Sequence, residues 1–334
     1  MKIVIDDKIP YIRTAIKCIT DDAVYMPGSS ITAADVRDAD ALIVRTRTRC
    51  DAQLLSGSNV RFVATATIGF DHLDTAFLER EGIHWMNCPG CNAGSVAQYV
   101  RSVLILLVRE KHVVPSATTL GIVGCGHVGS KVRQIALQMG FRVLVSDPPL
   151  GMHCDLRQCD IITYHVPLTK EGPLATWHMA DEEFFGSLPR VPIIINTSRG
   201  EVVDNEALLQ ALRQGRVADA VIDTWEHEPD ISRELLSAVY IGTPHIAGYS
   251  ADGKVNADNM VIDGLCRFFG LSKPAPIVPP EPATEIEFCD DEAENYLRIY
   301  NPLDDSRKLK SDPSCFEELR GNYPIRREIL LKKH

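Results

Sequence analysis

Short apolar runs alternate with helix-length amphipathic stretches from the first residues of the chain. Residues 3–5, 41–44 and 61–65 each read as a buried strand. Between them, Thr32 and Asp35 stand at the spacing of a helix-opening capping box, with Asp in the usual place of Glu. Turn residues cluster at Cys88-Pro89-Gly90-Cys91-Asn92 and mark a boundary. A long helix follows, because Val96, Val100, Val103, Leu104 and Leu107 form one apolar stripe at i, i+4, i+7, i+8 and i+11. A second strand-and-helix series then starts, with strands expected at 119–123, 142–145, 161–164, 192–195 and 218–222, and a helical pattern near 254–269. Strands separated by helix-length segments predict parallel sheets with helices on both faces. Prolines at 274, 276, 279, 280 and 282 suggest an extended linker. Beyond it, residues 283–334 are highly charged, yet carry Tyr296, Leu297, Ile299, Tyr300, Phe316, Leu319 and Tyr323, enough to fold.

Composition narrows the function classes. A chain of 334 residues predicts two or three domains and can bury large cores without disulfides. The net charge of −10 argues against a general binder of nucleic acid or anionic membrane, though not against a local basic pocket. Residues 103–108 form the longest apolar run of the first half, far short of the ~20 that span a bilayer. The opening residues read as a strand and not as a signal peptide, so a cytoplasmic location is expected. The ten cysteines are scattered, and Cys88 with Cys91 is the one C-x-x-C pair. Reduced thiols are therefore expected, with no metal site.

The chemistry begins at Gly124-Cys125-Gly126-His127-Val128-Gly129, a G-x-G-x-x-G placed after a strand and before a helix. The first glycine permits the turn, the second lets a pyrophosphate approach, and the third lets helix and strand pack closely. The amides of the helix start, including those of His127 and Val128, favour phosphate charge. The next strand runs into Asp147, 18 residues past Gly129, where a carboxylate can accept from the ribose hydroxyls and repel a 2′-phosphate. NAD is the expected cofactor.

Three later segments follow expected strands, where doubly wound folds bind ligands. They are Asn196-Thr197-Ser198-Arg199-Gly200, Asp223-Thr224-Trp225-Glu226-His227-Glu228-Pro229 and Thr243-Pro244-His245-Ile246-Ala247-Gly248-Tyr249. Each offers a group needed to oxidise a 2-hydroxy acid. A guanidinium can grip a carboxylate in bidentate fashion. An imidazole can take the hydroxyl proton, and a carboxylate behind it can orient the ring.

These segments together resemble the D-isomer-specific 2-hydroxyacid dehydrogenases over nearly the whole chain. The resemblance implies Arg199 for substrate binding, His245 as acid/base and Glu228 as its partner. It implies a Rossmann NAD domain (93–254) inserted into a flavodoxin-like substrate domain (1–92 and 255–275), with the long helix crossing between them. It further implies cofactor contacts from Val166, Pro167, Asp223 and Gly248; Val166 stands where the family often has Thr. A narrower likeness rests on Asp7-Lys8-Ile9-Pro10, Val44-Arg45-Thr46, Ala66-Thr67-Ile68-Gly69-Phe70-Asp71-His72, Gly248-Tyr249-Ser250 and the tail around Asn322-Tyr323-Pro324. It points to members that oxidise a phosphorylated four-carbon sugar acid on the route to pyridoxal phosphate, and whose tail is a dimerisation domain. For this chain that implies substrate contacts from Thr46, Thr67 and Tyr249, an α+β dimerisation domain at 276–334, and a homodimer. Such a substrate needs an anion site at each end, for which Arg45, Arg47 and Lys254 are candidate cations. Two other readings stay open: a dehydrogenase of 3-phosphoglycerate or another D-2-hydroxy acid, and a non-enzymatic NADH sensor on the same scaffold.

Overall fold

The computed structural model describes residues 1–282 and 286–328. The chain divides into two compact units. One comprises Met1–Asn92 and Ser250–Glu281, and the other Ala93–Tyr249 and Pro282–His334.

The first unit is built on a five-stranded parallel sheet. Its strands are β1 (Ile3–Asp6), β2 (Ala23–Met26), β3 (Ala41–Val44), β4 (Phe62–Thr65) and β5 (His84–Met86), in the order β2-β1-β3-β4-β5. This is the flavodoxin-like order. β1, β3 and β4 are buried along their whole length, as central strands covered on both faces must be. The capping box at Thr32 and Asp35 forms, with the Asp35 carboxylate accepting from the Thr32 amide at 2.8 Å. Helix Ala251–Phe269 packs its apolar side, including Val261, Ile262 and Leu265, into the same core as Ile3, Ile5 and Phe62. It opens at Ser250, whose side chain accepts from the Gly253 amide. The expected divide at 254/255 would have cut this helix, and Ser250–Ala251 shows why the chain instead divides before it.

The second unit carries seven strands: β6 (Thr119–Val123), β7 (Arg142–Asp147), β8 (Met152–His153), β9 (Ile161–Tyr164), β10 (Ile193–Asn196), β11 (Asp219–Ile222) and β12 (Ile241–Gly242). They run in the order β12-β11-β10-β9-β6-β7-β8, parallel except for the antiparallel pair β7–β8. β6 lies at the switch point, so the turn that follows it opens into the crevice where doubly wound folds bind dinucleotides. Helix Ala93–Glu110 is buried well beyond its expected stripe, with Ser95, Gln98, Tyr99 and Ser102 also enclosed.

The C-terminal segment accounts for that extra burial. Expected as a separate α+β domain, it lies within the second unit, and its described residues form helices Glu292–Ile299, Pro302–Ser311 and Phe316–Gly321 with no strand. The stretches 283–285 and 329–334 of that expectation lie outside the described residues. Tyr300, Leu309 and Phe316 are buried in the cores of the second unit. Ser102 Oγ donates to the Tyr300 carbonyl at 2.8 Å, and Arg109 pairs with Asp291 and Glu294. A tail that spends its apolar side chains on the cores of the second unit has too few left to build one of its own. Among the described residues no helix is long and apolar enough to cross a membrane.

Candidate active site

The glycine-rich turn has the shape a dinucleotide needs. Gly124 has φ +84°, and a Cβ there would lie 2.8 Å from the His165 carbonyl oxygen. A Cβ at Gly129 would fall 1.9 Å from the Gly124 oxygen, so helix and turn approach as closely as backbone permits. At Gly126 a Cβ would meet nothing within 4 Å, which leaves open space beside the start of helix His127–Gln138. That is where a pyrophosphate would be cradled by amides. Asp147 ends β7, and its Oδ2 accepts from the Cys125 amide at 2.6 Å. The acid is thereby fixed at the rim of the turn. Val166 reaches Gly124, lying 2.7 Å from where that Cβ would stand, with Pro167 exposed beside it. This donor set and the open cradle fit NAD.

The imidazole sits on a loop that one buried carboxylate organises. Asp223, just past β11, is 1% exposed. Its Oδ1 accepts from Thr243 Oγ1 at 2.6 Å and from the Ile246 amide at 2.8 Å, and its Oδ2 from the Ala247 amide at 3.0 Å. These donors take three of the roughly four acceptor positions of a carboxylate. Asp223 therefore first builds the loop; a nicotinamide amide could share only what remains. Burial pushes its carboxyl up, and the facing His245 and the loop donors work against that. His245 itself is held at φ +55°, the left-handed region, with its amide donating to the Asp223 carbonyl at 2.8 Å. Such a backbone costs a bulky residue roughly 1 kcal/mol or more and persists only where neighbours impose it. Gly248 and Tyr249 complete the loop, both half-buried.

Glu228 meets the imidazole from the β11 side. Its Oε1 and Oε2 lie 3.0 and 2.8 Å from His245 Nδ1, and Oε1 also accepts from the Trp225 amide at 3.0 Å. Burial works to raise the Glu228 carboxyl. The charge and hydrogen bond of His245, the Trp225 amide and the Arg320 guanidinium outweigh it and hold the group below the ordinary carboxylate range. An ionised carboxylate can only accept, so the ring proton resides on Nδ1 and Nε2 keeps its lone pair. A different histidine at a strand end, His165, lies between the hydroxyls of Thr163 and Thr197 at 3.0 and 3.3 Å, and burial pushes it down to about 3. It stays neutral at working pH.

Arg199 follows β10, half-buried, with Nη1 donating to the Ser198 carbonyl at 2.8 Å. Its loop is locked to that of Glu228 by backbone contact, since a Cβ at Gly200 would lie 1.9 Å from the Trp225 oxygen. The Asn205 amide donates to Glu226 Oε2 at 2.8 Å, and His178 bridges Glu226 at 2.7 Å and Asp204 at 3.4 Å. One ligand atom from each of His178, Asp204 and Glu226 lies within 4.8 Å of the others, a grouping the sequence reading missed. Its two ring nitrogens face different carboxylates, so the ring acts as a clamp between them. Spacing along the chain could not reveal it, because His178, Asp204 and Glu226 come from three separate loops.

In the first unit, Arg45 follows β3, half-buried, and Thr46 is exposed next to it. Arg45 Nη1 donates to the Lys8 carbonyl at 3.1 Å. Thr67 follows β4; its Oγ1 lies 2.6 Å from Thr65 Oγ1 and 2.8 Å from the Gly69 carbonyl. Lys254 is half-buried on the first turn of helix Ala251–Phe269. Arg45 and Lys254 share one electrostatic neighbour that sequence spacing did not single out, Asp258, which is 1% exposed. Burial pushes its carboxyl up to about 7 against the pull of the Tyr11 amide, Arg45 and Lys254.

One further neighbour of Glu228 comes from the tail. Arg320 Nη1 lies 3.7 Å from Glu228 Oε2, and its Nε donates to Tyr249 Oη at 3.0 Å.

Comparison with known proteins agrees with this geometry. The family model "D-isomer specific 2-hydroxyacid dehydrogenase, NAD binding domain" matches residues 108–247. The chain is 54% identical to erythronate-4-phosphate dehydrogenase of Bacteroides thetaiotaomicron, with 98% of this chain and 97% of that one covered. It is 41% identical to the protein of the same name from Porphyromonas gingivalis, over 98% and 94% of the two chains. Among solved structures, NAD-bound 3-phosphoglycerate dehydrogenase of Entamoeba histolytica superposes with a TM-score of 0.67 at 27% identity, covering 81% of this chain and 95% of that one. D-lactate dehydrogenase of Aquifex aeolicus shares the fold, with a TM-score of 0.68 at 24% identity over 80% and 96% of the two chains. With an NAD cradle behind β6, a paired carboxylate and imidazole, and near-full-length likeness on both sides, the chain belongs to the erythronate-4-phosphate dehydrogenases of the D-isomer-specific 2-hydroxyacid dehydrogenase family.

Proposed function

We propose that the protein oxidises 4-phospho-D-erythronate at C2 to (R)-3-hydroxy-2-oxo-4-phosphobutanoate, as a cytoplasmic homodimer on the route to pyridoxal phosphate. The observation that carries the reading is the Glu228–His245 hydrogen bond at 2.8 Å, on loops that follow strands of an NAD-binding sheet. The 54% identity to a named erythronate-4-phosphate dehydrogenase supports the choice of substrate.

NAD, when bound by the turn at Gly124, Gly126 and Gly129 with His127, Val128 and Asp147, supplies the acceptor for the C2 hydride. The chain's own residues do the rest. Arg199 binds and orients the substrate carboxylate, a planar fork meeting a planar anion. His245 receives the C2 hydroxyl proton on Nε2. Glu228 holds the ring by Nδ1 and stabilises the imidazolium that results. Arg45 and Lys254 offer cationic partners for the terminal phosphate, and Thr46, Thr67 and Tyr249 offer hydroxyls. Val166, Pro167, Asp223 and Gly248 border the cofactor. The C-terminal segment contributes the dimer contact.

The decisive measurement is the appearance of NADH absorbance with 4-phospho-D-erythronate, run beside 3-phosphoglycerate and unphosphorylated glycerate. Preference for the four-carbon phosphate is expected. Faster turnover of 3-phosphoglycerate would move the protein to that activity. No turnover of any of them would leave the NADH-sensor reading in its place.

A further inference from the structure

We propose that Arg320, delivered by the C-terminal segment, is a positioning residue of the dehydrogenase reaction: it braces the Glu228 carboxylate and aims the Tyr249 hydroxyl. The proposal rests on the roles given above to Glu228, His245 and Tyr249.

Arg320 lies on helix Phe316–Gly321, which Phe316, 1% exposed, pins into a core of the second unit. Its guanidinium is 21% exposed and Glu228 is 18% exposed, so little water intervenes to screen them. Nη1 stands 3.7 Å from Glu228 Oε2, the oxygen that also approaches His245 Nδ1 at 2.8 Å. Imidazole and guanidinium thus share one carboxylate oxygen. A guanidinium keeps its proton at every working pH, so its field on Glu228 is constant and favours the ionised form. The charged groups that reach Glu228 are His245 from the loop after β12 and Arg320 from the tail. Glu317 opposes from 4.0 Å beyond Arg320, on the same short helix.

The second contact has a directional consequence. Arginine has donors and no acceptor. When Nε donates to Tyr249 Oη at 3.0 Å, the phenol oxygen spends a lone pair on it, and its O–H must point away from the guanidinium. The ring of Tyr249 lies under the same cation, 5.7 Å from centroid to Cζ. A phenol fixed this way presents its proton outward in one direction, which suits an anionic substrate oxygen. Both consequences arise from a residue more than seventy positions from either partner, on a segment that sequence likeness had assigned to dimerisation alone.

The test is steady-state kinetics of the full-length protein with 4-phospho-D-erythronate and NAD, across the acid limb of the kcat/KM profile. Removing a positive charge beside the base makes protonation easier. Arg320→Met is therefore expected to move the acid limb up by about half to one pH unit, and to raise the substrate KM several-fold with the NAD KM unchanged. Arg320→Lys keeps the charge but not the fork; the limb is expected to stay while the substrate KM rises. Tyr249→Phe is expected to raise the KM and leave the limb in place. An Arg320→Met enzyme with wild-type limb and wild-type KM, whatever its thermal stability, overturns the proposal. Should Arg320→Met fail to fold, Arg320→Lys decides, since an unchanged KM there overturns it as well. Glu228→Gln, measured alongside, separates the two levels: its limb is expected to move the opposite way, to lower pH. An unmoved limb in Glu228→Gln refutes the underlying role of Glu228, and the brace on Glu228 with it.

Discussion

Nδ1 of His245 lies 2.8 and 3.0 Å from the two oxygens of Glu228, so the carboxylate engages one edge of the ring and leaves Nε2 its lone pair. His245→Ala is expected to lower turnover by ~10²–10⁴-fold, the usual worth of general base action, while NAD still binds. Turnover assays paired with NADH fluorescence titration check this. Full turnover in the variant would remove His245 from the chemistry.

The cofactor discrimination proposed for Asp147 rests on its charge at the rim of the glycine turn, where the Cys125 amide holds Oδ2. Asp147→Ala is expected to raise the NAD KM and to narrow the gap between NAD and NADP, since the repulsion of a 2′-phosphate goes with the carboxylate. The ratio of kcat/KM for the two cofactors is the readout. A ratio equal to wild type would contradict the assignment.

Gly200 sets the distance between the loop of Arg199 and the loop of Glu228. An added methyl at this position would sit 1.9 Å from the Trp225 oxygen and 2.6 Å from the Glu226 nitrogen. Gly200→Ala is expected to lower the melting temperature and to reduce kcat at least tenfold, with the NAD dissociation constant close to wild type. Calorimetry and kinetics on the same preparation test both halves. An unchanged kcat would show that the two loops are not mechanically coupled.

Asp258 predicts a pH dependence of stability in the first unit. Its carboxyl sits at about 7 in the folded chain, against about 3.9 for an ordinary aspartate. The folded state therefore keeps a proton that the unfolded state has lost across this interval. The contribution of Asp258 is fully present below about pH 4 and declines as pH rises through 7, by up to ~1.4 kcal/mol per pH unit. Denaturant unfolding of wild type and Asp258→Asn over this range should differ by that slope. Parallel curves would refute it.

Much of this was legible in the residues. β3, β6 and β9 fall on the expected positions because buried parallel strands are continuous apolar runs with turn residues at their ends. The strands that escaped notice were β2, β5, β8 and β12. β2 and β5 are edge strands of half-exposed residues, and β8 and β12 span two residues each, too short for any period to register. The glycine turn, Arg199, Glu228 and His245 stood out because their chemistry is local to strand ends. Arg320, Asp258 and the His178–Glu226 clamp did not, since each acquires its meaning from a partner far along the chain. The tail misled for a related reason: its apolar residues count toward a core, but the cores they fill are the two of the second unit.

The grip of Asp223 on Thr243, Ile246 and Ala247 has a consequence for inhibitors. The loop presenting the imidazole is already ordered when a molecule arrives, so a compound that matches it need not pay for freezing it. Gains in affinity at that wall should therefore come from shape and charge complementarity, and rigidifying a compound there should help only by restraining the compound itself.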